Sequence, residues 1–479
     1  MTSSDLLAIL PLVILAATAV ALLLLIAFFR HHRLAAGLAL FGLAAAFVAL
    51  LALPPGLPRA VTPLLVWDSY AAFFTGLIVA AAFGVGVLSV GYLQHQPGES
   101  EEYYLLLVLA TLGAAVLAAS SHLASFFLGL EVLSISLYTL LAYLRDREVS
   151  IEAGVKYLIL AGVSSAFLLF GMALVYAALG TMALSTLPAA AAQAADSPLL
   201  LAGVALLLVG IGFKLAVVPF HMWTADVYQG APAPVTALVA TVSKGAVLAL
   251  LLRYFAAMGL LDVTPVLTGL VLIAMASMLV GNLLALRQTN VKRLLAYSSI
   301  AHLGYMLVAV LEGGQAGAEA VALYLVAYTI TTLLAFGVLA VLSGPERDAE
   351  EMDDLRGLFW RRPWLAALMT AAMLSLAGIP LTVGFIGKFA VVSAGASAAL
   401  WPVLGVLVIG SALGVYYYLR VVLAMLSERP AGEPAAAALP AMTLAGAITL
   451  AVLGLLLLGL GIYPAPLIDL IRRTVASLM

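Results

Sequence analysis

"VGIGFKLAVVPFHMW" (209–223) closes a long apolar run with a lysine, Lys214, which has only apolar residues and glycine for six positions before it and four after. Pro219 follows five residues later. The run that leads into it, about 198–220, matches the roughly 20 residues that a helix needs to cross a hydrocarbon core about 30 Å thick. Inside such a helix an ammonium group is costly. Proline removes a backbone donor and clashes with the preceding turn. A lipid-embedded helix that carries both a charge and a break is a structure built around that charge.

The rest of the chain has the same solvent. Of 479 residues, 65% are hydrophobic and only 9% charged, with a mean hydropathy of +1.19. Soluble chains carry about 25% charged residues, and no soluble core absorbs this much apolar surface. A net charge of −2 argues against a nucleic-acid partner, leaving membrane lipid as the surrounding phase. With no cysteine there are no disulfides, no thiolate-bound iron–sulfur clusters and no Cys-type zinc sites, and no other metal-binding motif stands out. The first apolar run (6–29) is too long for a signal-peptide core and has no basic residue before it, so it reads as a retained helix.

Fourteen runs long enough to span the bilayer follow one another, at about 5–29, 34–53, 70–92, 103–119, 122–144, 151–178, 198–220, 232–258, 264–286, 290–311, 317–343, 363–393, 398–425 and 437–462. They are continuous rather than alternating, which predicts an all-α polytopic membrane protein and excludes a barrel. Lys and Arg sort the loops. The connections after odd-numbered spans hold Arg30, Arg33, Arg145, Arg147, Arg287, Lys292, Arg293, Arg347, Arg356, Arg361, Arg362 and Arg429, whereas the other side holds Arg59, Arg472 and Arg473, with Arg253 near it. That bias predicts both termini on the outer side of the membrane, the periplasm or its equivalent. Lys292 and Arg293 read as a topology anchor. The polar stretch 344–362 reads equally well as a docking surface, a surface helix or a solvated connector.

A second broken span contains "AGIPLTVGFIGKF" (377–389), where Gly378 and Pro380 precede Lys388. Breaks in the seventh and twelfth spans, five apart, suggest a five-helix unit used twice, spans 4–8 and 9–13, inverted in the membrane because five is odd. The corresponding division is 1–102 (three helices), 103–259 (first repeat), 260–425 (second repeat) and 426–479 (last helix and tail).

The charges inside the spans carry the functional signal. Of five lysines, Lys214, Lys244 and Lys388 lie within apolar helices. Of 23 acidic residues, only Glu131 stands well inside one. At 1.5 Å per residue Lys244 lies about 18 Å beyond Pro232, and Glu131 about 14 Å beyond His122, both near mid-membrane. Each such charge costs about 2.5–3.5 kcal/mol, so these groups must pair or face a polar interior. Arginine holds its proton at any usable pH, but buried lysine can release one. A row of Glu and Lys across the bilayer therefore reads as a proton relay. A lone buried lysine is often only a packing ion pair, but three together weaken that reading.

At these residues the chain resembles a known family. "GFKLAVVPFHMWTADVYQGAPAPVTALVATVSKGA" (212–246), "FFLGLEVLSISLYTLLAY" (126–143), "QTNVKRLLAYSSIAHLGYML" (288–307) and "GIPLTVGFIGKF" (378–389) are similar to the antiporter-like membrane subunits of NADH:quinone oxidoreductase, respiratory complex I. "DVYQGAPAPVTA" and "VSKGA" resemble the N (ND2) type rather than L or M. The resemblance implies 14 helices with two inverted five-helix repeats, and a non-redox subunit of a proton translocase. It implies relay roles for Glu131, for Lys214 as its partner, for Lys244 as the central lysine and for Lys388, and matches Tyr297 and His302 to polar positions near the axis. It places NADH, FMN, iron–sulfur clusters and quinone in partner subunits, with M-, K-, J- and A-type membrane subunits as neighbours. Mrp-type cation/proton antiporters and the membrane arms of related hydrogenase complexes share the fold and remain alternatives.

Overall fold

The computed structural model describes residues 2–52, 59–94, 96–194, 197–259, 261, 263–428 and 442–476. Arg429 and the first residues of the last expected run (437–441) lie outside the described residues. The long helices are α1 (Leu10–Phe28), α2 (His32–Ala52), α3 (Ser69–Leu93), α4 (Glu101–Ala119), α5 (Leu123–Leu141), α6 (Glu148–Leu179) and α7 (Pro198–Leu215). After the first break come α8 (Thr224–Gly230), α9 (Ala233–Tyr254), α10 (Thr264–Ala285), α11 (Val291–Val310) and α12 (Gln315–Leu342). Then follow α13 (Pro363–Ala377), α14 (Val383–Ser397), α15 (Trp401–Leu426), α16 (Leu444–Ile462) and a terminal amphipathic α17 (Ala465–Val475). Thirteen of these are long and apolar enough to cross a membrane, and α13 with α14 forms the fourteenth span, divided at its middle. A two-stranded antiparallel hairpin, Arg59–Thr62 with Leu65–Trp67, joins α2 to α3.

The helices form where the apolar runs do, and their ends follow local chemistry. Proline occupies the first turn of α1, α7, α9, α10, α13 and α15, where its missing N–H has no intrahelical partner to lose. Asp68 caps α3 by accepting from Ala71 N, and Asn290 caps α11 by accepting from Arg293 N. Three spans are almost wholly enclosed by protein. The most apolar window is 100% buried in α9, 89% in α11 and 94% in α12, against 28–67% in the other spans. The relay candidates Lys244 and His302 lie on two of these three.

Close backbone contacts set the outer ring. A Cβ added to Gly113 on α4 would lie 2.6 Å from Leu133 N and 2.7 Å from Gly129 O on α5, and a backbone cannot yield as a side chain can. We expect Gly113→Ala to push α5 off α4 and destabilise the protein by about 1–3 kcal/mol, the usual range for overpacking. Thermal unfolding in detergent should show the loss; an unchanged midpoint would mean that the two helices separate freely.

Both breaks are satisfied internally, as lipid demands. α7 ends at Leu215, Ala216 takes a left-handed φ of 61°, and the chain turns until α8 starts at Thr224. Val218 N donates to Ser277 Oγ (2.9 Å), and Trp223 Nε1 donates to Phe213 O (3.1 Å). At the second break Gly378 has φ 82°, and Gly384 N donates to Ser375 Oγ (3.1 Å). Lys214 precedes its break, whereas Lys388 follows its own.

Two readings of surface charge are corrected. Lys292 is 1% exposed: it donates to Asp348 Oδ2 (2.8 Å) and to Ala231 O (2.6 Å), so it is the partner of a buried carboxylate as well as a flanking cation. The 344–362 segment is accordingly neither a free docking strip nor a solvated connector throughout, because its Asp348 is buried among the spans. Arg253 is buried too, in a forked pair with Asp68 (2.8 and 2.9 Å), and its guanidinium lies 4.7 Å from the Tyr70 ring centre.

Candidate functional site

Lys214 ends α7 with its ammonium turned inward at 2% exposure. It donates to Ser134 Oγ (2.6 Å) and to the Tyr157 hydroxyl (3.3 Å), and it lies 5.1 Å from the Tyr157 ring centre. Glu131, one turn before Ser134 on α5, is half-buried and accepts from Ser165 Oγ (2.6 Å). The expected Glu131–Lys214 pair is thus not a direct ion pair. The two groups feel each other's charge, but each is bonded to a serine or tyrosine hydroxyl.

Lys244 is fully buried on α9, directly after a π-helical turn, Val239–Ser243. Such turns widen the helix and re-aim the next side chain, often at functional positions. Its Nζ donates to Ser299 Oγ (2.6 Å) on α11 and lies 5.4 Å from the Tyr228 ring centre. Among the described residues, no carboxylate lies within 4 Å of it. Ser299 also accepts from the Tyr328 hydroxyl (2.6 Å), whose ring centre is 5.6 Å from that of His302.

His302 is bonded at both ring nitrogens. Its Nδ1 meets the Tyr324 hydroxyl at 2.7 Å and its Nε2 meets the Tyr418 hydroxyl at 3.0 Å. Tyr418 also bonds Ser298 and packs against Tyr417. Tyr417 donates to Asn282 Oδ1 (2.9 Å), and Asn282 Nδ2 donates to the Tyr305 hydroxyl (2.9 Å). Lys388 lies 5.3 Å from the Tyr305 ring centre and donates to Ala377 O and Ser411 Oγ, both at 2.9 Å. Glycine suits position 378 because its φ of 82° lies in the left-handed region, and a Cβ there would also press on the Lys388 side chain, 2.7 Å from Cδ.

The structure therefore buries Lys214, Lys244, His302 and Lys388 in polar surroundings: Lys244 and His302 meet around Ser299 and Tyr328, Lys388 stands against Tyr305, and Lys214 has its own group of Ser134 and Tyr157 with Glu131 at its margin. Tyr297 is half-buried on α11 and makes no hydrogen bond to these groups. Its neighbours Ser298 and Ser299 supply the polar contacts instead. The hydroxyls of Ser134, Tyr157, Ser299, Tyr328, Tyr324 and Tyr418, and the Asn282 amide, were not singled out in the sequence. One signal was present: tyrosine and asparagine within otherwise apolar spans must find partners when buried. Such groups can hold protons on nitrogen and oxygen. Among the described residues no group of three or more His, Asp and Glu is arranged to hold a metal ion.

Known proteins share this arrangement's scaffold. The family of NADH:quinone oxidoreductase/Mrp antiporter transmembrane domains matches residues 120–414. The NADH-quinone oxidoreductase subunit N of Methylococcus capsulatus is 49% identical over 475 residues, covering 98% of this chain and 95% of that protein. A chain of respiratory complex I from Thermus thermophilus with bound Aureothin superposes with a TM-score of 0.83 at 38% identity, covering 96% of this chain and 98% of that one. A chain of the Mrp complex from Dietzia sp. superposes with a TM-score of 0.88 at 23% identity, covering 100% of this chain and 98% of that one, which is a likeness of fold. With a family model across the central spans and near-half identity along almost the whole length, the chain belongs to the NADH:quinone oxidoreductase/Mrp antiporter family, within its branch of NADH-quinone oxidoreductase N subunits.

Proposed function

We propose that this chain is a proton-translocating, non-redox subunit in the membrane arm of an NADH:quinone oxidoreductase, and that Glu131, Lys214, Lys244, His302 and Lys388 carry the proton. The observation behind this is the burial of three lysines and a histidine inside the bundle, each hydrogen-bonded to serine or tyrosine hydroxyls. Redox events in partner subunits change the charge beside Glu131. That change moves the proton affinity of Lys214, Lys214 passes a proton toward Lys244, and Lys388 exchanges it with the outer side. Opposite charges stabilise each other's ionised forms, so altering one end alters the other. NADH, FMN, iron–sulfur clusters and quinone belong to the partner subunits, and the absence of cysteine here fits that division.

The same proposal covers the surroundings. The Lys/Arg bias supports a bacterial inner membrane location with both termini periplasmic. The two breaks support the division into a 103–259 unit and a 260–425 unit between an N-terminal part (1–102) and a C-terminal one (426–479). M-, K-, J- and A-type membrane subunits are the proposed neighbours. Extraction in mild detergent tests the assignment against an Mrp-type antiporter. The chain is expected to co-purify with NADH-oxidising, quinone-reducing subunits; recovery with membrane subunits alone would turn the assignment to the antiporter.

A further inference from the structure

We propose that a cavity beside the C-terminal turns of α15 binds the phosphodiester headgroup of an anionic phospholipid, with Arg420 and Arg356 as its anion-holding groups. This goes beyond the lysine relay and does not depend on it.

The cavity has a volume of about 320 Å³, and Asp353, Arg356, Arg420, Leu423 and Ala424 are among the residues that line it. That volume is at the lower end of the range of small-molecule sites. It lies at the end of the bundle that carries most of the loop Lys and Arg residues, between α15 and the Met352–Leu355 turn of the 344–362 segment. Arg420, Leu423 and Ala424 stand at helical spacing and share one face of α15. Arg420 is six residues before the end of α15 at Leu426, about 9 Å inside the span. It is half-buried and donates through Nη1 to Leu286 O (2.7 Å). Among the described residues no other group accepts from it and no carboxylate lies within 4 Å of it. Arg356 pairs with Asp353 (2.8 Å), with the two side chains 40% and 77% exposed. An exposed pair of this kind is weak and exchanges readily.

An arginine inside a span needs a partner, and one backbone carbonyl supplies a dipole rather than a counter-charge. Asp353 neutralises one of the two guanidinium groups, so the cavity carries one uncompensated positive charge. A phosphodiester whose headgroup has no cation of its own supplies the matching single negative charge. Planar guanidinium forks fit the non-bridging oxygens of phosphate. The rest of a lipid also has its surface here. Leu419, Leu423 and Leu426 are exposed along α15, where acyl chains would lie. Trp360 donates through Nε1 to Leu426 O (3.3 Å) and is otherwise exposed, as aromatic residues at a membrane–water boundary are. A free phosphate ion would use the arginines but not this apolar wall. Basic pockets between spans on the Lys/Arg-rich side are the usual setting for anionic headgroups.

The test is photolabelling of the chain, extracted with its membrane partners and reconstituted in phosphatidylcholine vesicles that contain a diazirine-bearing phosphatidylglycerol. The labelled peptides are then mapped. Label is expected on the peptide that carries Arg420 and Leu423, and unlabelled phosphatidylglycerol should displace it whereas inorganic phosphate should not. Arg420→Gln and Arg356→Gln should each weaken labelling about fivefold, and the double variant about 25-fold, at the usual contribution of one basic residue near a membrane surface. Equal labelling by a diazirine-bearing phosphatidylcholine would overturn the inference, because the site would then be ordinary lipid contact. Displacement by inorganic phosphate would overturn it in favour of a free-anion site. Absence of label from that peptide would overturn it too, as when a partner subunit covers the cavity. If Arg420→Gln fails to assemble, Arg356→Gln decides alone, since it changes an exposed side chain; labelling at the wild-type level in it would overturn the inference.

Discussion

Replacing Lys244 with methionine is expected to leave the complex assembled and to stop proton movement through this chain. The two halves of that expectation come from one geometry. Lys244 is fully buried, its hydrogen bond is to Ser299, and among the described residues no carboxylate pairs with it. A charge at mid-helix costs about 2.5–3.5 kcal/mol on insertion scales, and one serine and one aromatic face offset only part of that. Methionine has a similar length and volume and no charge, so the site stays filled. Thermal stability should equal or exceed wild type. Coupled turnover should fall on the order of 10²-fold, the lower range for loss of a positioned proton-transfer group. Turnover and protons moved per NADH, measured in liposomes, decide the matter: a Lys244→Met complex that pumps with wild-type stoichiometry would show that the lysine is a packing group.

The charges were the legible part of this site, and the uncharged polar groups were not. A lysine among apolar residues can be read at once, because lipid makes its cost independent of detailed packing. Lys214, Lys244 and Lys388 are therefore visible before any fold is known. The hydroxyls bonded to them are not. Ser299 on α11 meets Lys244 on α9, and Tyr418 on α15 meets His302 on α11, contacts that depend on which helix faces which. Apolar runs carry no information on helix neighbours, since every face of an enclosed span is apolar. Tyr297 shows the other side of this limit. It stands two positions before Ser299, enough on a helix to turn it to the opposite face.

Glu131 and Asp348 show that depth in the sequence is not depth in the fold. Glu131 lies mid-span and is half-buried, because α5 is a peripheral helix with Leu128 and Ile135 exposed beside it. Asp348 lies in a loop and is 4% exposed, because that loop folds back between the spans. Burial of a charge in a polytopic protein is set by the third dimension of the bundle as much as by position along the membrane normal. A peripheral acid such as Glu131 is well placed to sense a neighbouring subunit, whereas an enclosed lysine such as Lys244 is shielded from all but its own contacts.

Removing the Asp348 carboxylate is expected to be the most destabilising single change on the loop side of the bundle. Its two oxygens accept from the Tyr92 hydroxyl (2.6 Å), Arg147 Nη1 (3.0 Å), Lys292 Nζ (2.8 Å) and Ala233 N (3.0 Å). Those donors belong to α3, the start of α6, the start of α11 and the start of α9, so one carboxylate fastens four helices. Burial alone would raise the Asp348 pKa, but Lys292, the Tyr92 hydroxyl and Arg147 outweigh it and hold the pKa below its ordinary value. Asp348→Ala leaves Lys292, which is 1% exposed, with only the Glu350 carboxylate at 3.9 Å, and breaking a buried pair costs about 3–5 kcal/mol. The sign of the pH dependence follows from the lowered pKa. The stabilisation is complete above the unfolded-state value of about 3.9 and fades as pH falls through the lower folded-state value. The gap in thermal stability between wild type and Asp348→Ala should therefore be constant from neutral pH down to about 5 and shrink only below about 4. A gap under about 1 kcal/mol at neutral pH, as for an exposed pair, would show that Asp348 does not hold these helices together.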